Sequence, residues 1–114
     1  MDYSDHRMTI DTSSHKVTVD GFPVSLTRKE ANLLATLAAN EGETVSRRFL
    51  LREIWGYPAE TQTRTLDVHI RRLRKKLGPA GSEYIETVFN IGYRFRRPRV
   101  SSEVLPALPL AMTA

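Results

Sequence analysis

Arg64-Thr-Leu-Asp-Val-His-Ile-Arg-Arg-Leu-Arg-Lys-Lys-Leu-Gly78 is the run of residues on which the fold turns. At about 100° per residue, Leu66, Ile70, Leu73 and Leu77 fall within a stripe roughly 60° wide. Arg64, Arg71, Arg72 and Lys75 project from the opposite side, with Arg74 flanking them. The narrow apolar stripe suits docking on a small core. The basic face then stands outside, about as wide as a DNA major groove accepts. Such a helix is suited to presentation to a polyanion.

The charge distribution supports this reading. A chain of 114 residues fits one compact domain with a single modest core. Its formal charge of +4 hides an asymmetry. Residues 1–60 carry seven Lys/Arg against nine Asp/Glu, whereas residues 61–99 carry ten against three. Charge segregated into one third of a chain is a local surface field. The chain has no cysteine, which excludes disulfides, thiolate zinc sites and cysteine nucleophiles and suits a reducing cytoplasm. The polar N-terminus is not a signal peptide, and Val104–Met112, broken by Pro106 and Pro109, is too short to span a bilayer. His6, His15 and His69 lack metal-ligand spacing, and no phosphate loop, nucleophile elbow or convergent carboxylate pair is present. The expectation is a non-enzymatic, cytoplasmic protein without metal or cofactor.

Outward from the basic helix, residues 8–26 alternate in strand fashion through Met8, Ile10, Val17, Val19, Phe22, Val24 and Leu26. Asp20-Gly21 is a hairpin signal, because a type I′ turn needs residues that tolerate positive φ. Thr27 and Glu30 have capping-box spacing, and Leu33, Leu34, Leu37 and Ala38 form the buried face of a first helix stopped by Asn40 to Gly42. Ser46 caps a second helix through Leu50, Leu51 and Ile54, ending at Trp55-Gly56. The basic third helix begins near Thr61 or Thr63 and ends at Gly78. Two strand-like runs, 84–89 and 93–97, follow as a hairpin in which Tyr93 and Phe95 alternate with Arg94 and Arg96. A helix pair with a basic second member, followed by a basic hairpin, outlines a winged helix-turn-helix. The expected boundaries are a leader or linker end over 1–7, the winged-helix domain over 8–97 and a flexible tail over 98–114.

Four segments in this order carry a resemblance: Val24-Ser-Leu-Thr-Arg-Lys-Glu30 with Leu33-Leu34; Val45-Ser-Arg47 with Leu50 and Ile54-Trp55-Gly56; Arg64 through Leu77; and Ile85-Glu-Thr-Val88 with Gly92-Tyr-Arg-Phe95. The chain resembles the effector domain of the OmpR/PhoB family of bacterial response regulators over roughly residues 8–97. The resemblance implies an α+β fold with an N-terminal antiparallel sheet, three helices and a C-terminal β-hairpin wing. It also implies transcription control through double-stranded DNA. By position, Arg72 would reach base edges, where two parallel donors suit guanine O6 and N7. Arg47, Trp55, Arg64, His69, Arg71, Arg74 and Tyr93 would contact phosphates. Arg94 and Arg96 would hold the backbone from the wing, and loop residues 57–62, with Tyr57, Pro58, Ala59 and Glu60 foremost, would face RNA polymerase. The resemblance also implies a monomer able to pair on tandem half-sites, either an excised effector served by a receiver domain and its histidine kinase or a stand-alone regulator that works without phosphorylation.

One position departs from the family. Where Thr-Val-Arg-Gly is usual, this chain has Thr87-Val88-Phe89-Asn90, so the arginine that enters the minor groove is replaced by Phe89. Inward packing is the favoured reading of Phe89, ahead of stacking or wedging against a base step. Four further side chains each suit two roles. Arg64 pairs with Asp67 or meets a phosphate, His69 is hydrogen-bonded and partly buried or a phosphate ligand, and Trp55 and Tyr93 serve the core or the DNA. The rival to sequence-specific binding is a protein-interaction module with only non-specific DNA affinity.

Overall fold

The computed structural model describes residues 2–58 and 61–98. The chain opens with an antiparallel meander, β1 (Tyr3–Ser4), β2 (Met8–Asp11), β3 (Lys16–Val19) and β4 (Phe22–Pro23), whose strands lie in sequence order. Met8 pairs with Val19 and Ile10 with Val17, and all four are buried on one face. Asp20 (φ 52°) and Gly21 (φ 85°) turn the chain between paired Val19 and Phe22, as the dipeptide demands. Residues 1–7 are not simply a leader, since Tyr3 pairs with Ile10 and is buried. The carboxylate of Asp5 makes this possible by accepting the Arg7 and Met8 amides at 2.7 and 2.8 Å, which folds the chain back on itself.

Helix α1 (Arg28–Ala39) starts with both capping-box bonds: the Glu30 amide donates to Thr27 Oγ1 at 3.2 Å and the Thr27 amide to Glu30 Oε1 at 3.0 Å. Leu33, Leu34 and Leu37 are fully enclosed. A short strand that the sequence reading did not separate, β5 (Thr44–Ser46), leads into α2 (Arg47–Leu50), where Ser46 Oγ accepts the Phe49 amide at 3.0 Å. The helix then widens into one π-helical turn, Leu51–Trp55, and stops at Gly56 (φ 74°). Lys29 Nζ satisfies the Ile54 carbonyl at that end, 2.7 Å away.

Helix α3 spans Thr65–Leu77 and so starts later than expected, because Thr63 Oγ1 accepts the Thr65 amide at 3.1 Å and holds the preceding residues as a turn. Leu66, Ile70, Leu73 and Leu77 are all buried against the core that α1 and the first sheet build. Each such side chain contributes about 1.5–3 kcal/mol by leaving water. Beyond Gly78 a fourth, unexpected helix, α4 (Pro79–Tyr84), packs on α3. It is close enough that a Cβ on Gly81 would lie 2.3 Å from the Arg74 carbonyl oxygen. The wing strands β6 (Ile85–Val88) and β7 (Gly92–Phe95) pair with Ile85 opposite Phe95, and β5 lies along the other edge of β7. The result is a three-stranded sheet rather than a lone hairpin.

Candidate nucleic-acid interface

Arg71, Arg72 and Lys75 stand exposed on the outer side of α3, directly behind its buried stripe. Among the described residues, neither Arg71 nor Arg72 has a hydrogen-bonding or ion-pairing partner. Lys76 is also exposed but committed, with Nζ 2.7 Å from the buried Glu30 carboxylate. Burial pushes the Glu30 carboxyl up, but the Lys76 ammonium and the Thr27 amide outweigh it and hold the group below its ordinary value.

A second cluster ties α2, α3 and the wing together. Both terminal guanidinium nitrogens of Arg47 donate to the Asp67 carboxylate, one of them at 3.0 Å, and the Tyr93 hydroxyl donates to the same group. The Arg47 hydrogen bonds lower the Asp67 carboxyl, burial opposes them, and the Tyr93 bond adds to the lowering. Burial and the bond to Asp67 push the Tyr93 phenol up to about 12. Asp67 therefore belongs to Arg47 and Tyr93, whereas Arg64 stays exposed without an ion pair among the described residues. The i,i+3 pairing offered for Arg64 is not formed.

Arg74, partly buried, is turned toward the wing. Its Nε and Nη2 donate to the Ile85 carbonyl at 3.2 and 2.7 Å, and Nη2 donates to Thr87 Oγ1 at 2.8 Å. The guanidinium lies 5.7 Å from the centre of the Tyr93 ring. Desolvation lowers its pKa from the ordinary arginine value. These bonds make Arg74 a strut from α3 to the wing. His69 Nδ1 lies 2.9 Å from the Thr65 carbonyl and donates to it, leaving Nε2 as the nitrogen that faces outward from that bond. The imidazole meets Trp55 edge-on at 4.9 Å, so both rings are partly buried and share one contact.

The wing tip overturns one expectation. Phe89 does not pack inward: it is 81% exposed, and its neighbour Ile91 is 55% exposed. Val88 pairs with Gly92, so Phe89, Asn90 and Ile91 form the hairpin loop, with Asn90 in the left-handed region at φ 64°. Among the described residues, the core cluster does not extend to this tip to receive the ring. Arg94 is engaged by Glu86 at 3.0 Å, while Arg96 is exposed. In the loop after α2, Tyr57 is half-buried and Pro58 exposed, and Ala59 and Glu60 lie outside the described residues, as does the tail beyond residue 98.

Residues 21–95, well over half of the chain, match the family described as "Transcriptional regulatory protein, C terminal". The chain belongs to the OmpR/PhoB family of response-regulator DNA-binding domains. Among OmpR/PhoB relatives, response regulator ArlR of Staphylococcus saprophyticus is 44% identical over 89 residues, covering 77% of this chain and 40% of the relative. This chain thus spans about two fifths of the curated relatives it matches. The DNA-binding domain of Klebsiella pneumoniae RstA, solved in complex with the RstA box, is 34% identical, with a TM-score of 0.75 over 82% of this chain and 95% of that one. Response regulator DrrB of Thermotoga maritima, an OmpR/PhoB homologue, is 32% identical with a TM-score of 0.75, over 83% of this chain and 44% of that one. OmpR/PhoB domains are transcriptional regulators rather than enzymes.

Some features of this OmpR/PhoB domain were not legible in sequence. Arg48 and Arg52 are exposed on α2 and its continuation, and a concavity between Arg47, Arg48 and residues 61–63 opens beside them. Neither arginine had a periodic signal, because the helix is too short. Asp67 as a hub was also missed, since its partners lie 20 and 26 positions away. Among the described residues no group of three or more His, Cys, Asp or Glu side chains gathers as a metal site, and no helix is long and apolar enough to cross a membrane.

Proposed function

We propose that this domain binds double-stranded DNA sequence-specifically to regulate transcription, with α3 in the major groove and the wing on the flanking backbone. The observation that carries the reading is the unpartnered pair Arg71 and Arg72 on the outer face of a helix whose inner face is sealed into the core. Arg72 reads base edges, and its paired donors match a guanine. Arg64, Arg71, Lys75 and Arg48 neutralise phosphates and set affinity without reading sequence. Arg47 and the Trp55 indole N–H can still donate to the backbone, whereas the Tyr93 hydroxyl is spent on Asp67 and the His69 Nδ1–H on the Thr65 carbonyl, so these two act chiefly by positioning their neighbours. Arg74 and Arg94 act chiefly by orienting the wing, and Arg96 is its free cation among the described residues. Two copies occupy tandem half-sites about one helical turn apart, and Pro58 and Gln62, exposed on either side of residues 59–60, remain for RNA polymerase.

Selection from random duplex DNA at two salt concentrations tests this. An enriched direct repeat supports the reading, and binding without any motif refutes it in favour of a non-specific basic surface. On the selected duplex, Arg72→Ala should cost about 1–3 kcal/mol and relax preference at one position. Arg71→Ala should weaken all sequences alike and shallow the salt slope by about 0.9. Equal, sequence-blind losses for both variants overturn the role of Arg72.

A further inference from the structure

We propose that the wing tip is a hydrophobic minor-groove wedge: Phe89, backed by Ile91, presses its ring between two base pairs and bends the duplex there. The inference rests on the DNA-binding reading above and adds a specificity determinant to it. Both side chains are exposed at the tip of a three-residue loop, and neither is among the hydrophobic residues packed on the core. An aromatic side chain at that position gains nothing from the isolated domain, which keeps its other large aromatics, Phe22 apart, at least partly covered.

A wedge must be stiff, and this tip is braced from three sides. The Ile91 carbonyl accepts the Arg47 amide at 3.1 Å, and the Ile91 amide donates back across the loop to the Val88 carbonyl at 3.0 Å. Gly92 lets β7 approach β5 so closely that a Cβ there would lie 2.0 Å from the Val45 carbonyl oxygen. Arg74 clamps the β6 side through Ile85 and Thr87. The entropy of ordering the loop is therefore met in folding rather than on binding DNA.

The tip is also continuous with the proposed DNA face. Phe89 and Asn90 line the same open concavity, about 450 Å³, as Arg64, Arg47 and Asp67 of the helix-turn-helix. With α3 in a major groove, the neighbouring minor groove runs beside the wing. An arginine at this tip would add a phosphate or base-edge donor. Phenylalanine has neither, so its gain comes from stacking on a partly opened base step, as apolar wedges do. Opening is least costly at pyrimidine–purine steps, so the wing should prefer TA or CA/TG under Phe89.

The test uses the full chain and the duplex enriched by selection, with 2-aminopurine placed in turn at each step flanking the α3 site and a donor–acceptor dye pair on the ends. Wild type should raise 2-aminopurine emission several-fold at one step and shorten the end-to-end distance. Phe89→Leu should keep much of both signals. Phe89→Ser should abolish them and weaken binding roughly tenfold, with an unchanged salt slope because no counterion is involved. Phe89→Arg should restore affinity with a slope steeper by about 0.9 and without the emission change. A wild-type complex of normal affinity with no emission change, or a Phe89→Ser variant that bends and binds like wild type, overturns the wedge alone. Absence of specific wild-type binding overturns the DNA-binding reading beneath it.

Discussion

Asp67→Ala removes the one acceptor shared by α2, α3 and the wing. Three hydrogen bonds end on its carboxylate, two from Arg47 and one from Tyr93. The Arg47 and Asp67 side chains are 36% and 32% exposed, so water re-solvates the freed guanidinium and the ion pair contributes only about 0.2–1 kcal/mol. The Tyr93 hydroxyl is different. Its residue is 6% exposed, and an orphaned hydroxyl there costs about 1–2 kcal/mol. The total is about 2 kcal/mol, or about 8 °C in Tm for a domain of this size, measured by circular dichroism melts at pH 7. Tyr93→Phe should cost less, and the two changes should be non-additive by about 1 kcal/mol in a double-mutant cycle. The pH dependence has a definite sign. The folded carboxyl titrates below its ordinary 3.8, so its stabilisation is complete above that value and disappears as pH falls through the lowered folded value. The gap between wild type and Asp67→Ala should therefore narrow on acidification, leaving the part due to the orphaned Tyr93 hydroxyl. Freed Arg47 should also steepen the salt dependence of DNA binding by about 0.9, one more phosphate. A Tm loss under about 2 °C, or full additivity with Tyr93→Phe, refutes the hub.

If Arg74 is a strut, Arg74→Ala should lower DNA-free stability by about 1–3 kcal/mol, read from urea unfolding; an unchanged midpoint would return Arg74 to the phosphate contacts. Asp5 receives the Tyr3 and Tyr84 hydroxyls as well as two amides, and these outweigh burial to bring its carboxyl down to about 2. Asp5→Asn should cost about 2 kcal/mol at neutral pH and remove the wild-type loss of stability between the ordinary 3.8 and about 2, as acid titrations of the melt would report. Gly92→Ala should destabilise by about 1–3 kcal/mol through its clash with the Val45 carbonyl and weaken DNA binding in gel-shift assays more than an equally destabilising change in the first sheet.

Much of the fold was legible because it is written in short-range patterns. The Thr27–Glu30 capping box, the Ser46 cap, the Asp20-Gly21 turn and the four-residue apolar stripe of α3 each depend on residues within one or two turns of chain. Family likeness supplied the order of the pieces. What escaped depends on neighbours distant in sequence. β1 and β5 are strands only because Ile10 and Tyr93 lie opposite Tyr3 and Val45, and two or three residues carry no period of their own.

The sequence by itself determined that one helix would present arginines on one side and leucines on the other, since that is a matter of angle per residue. It did not determine which arginines stay free. A helical projection places Arg74 beside Arg71 and Arg72, at the flank of the basic face, but it does not show that Arg74 alone comes within reach of the Ile85 carbonyl and Thr87, which the chain brings there through α4 and β6. The same holds for Phe89. Its apolar character favoured burial, but the β6–β7 register carries it to the tip of the hairpin, where none of the described residues covers it. Burial and hydrogen-bond competition are settled by which surfaces meet, and only the tertiary structure decides that.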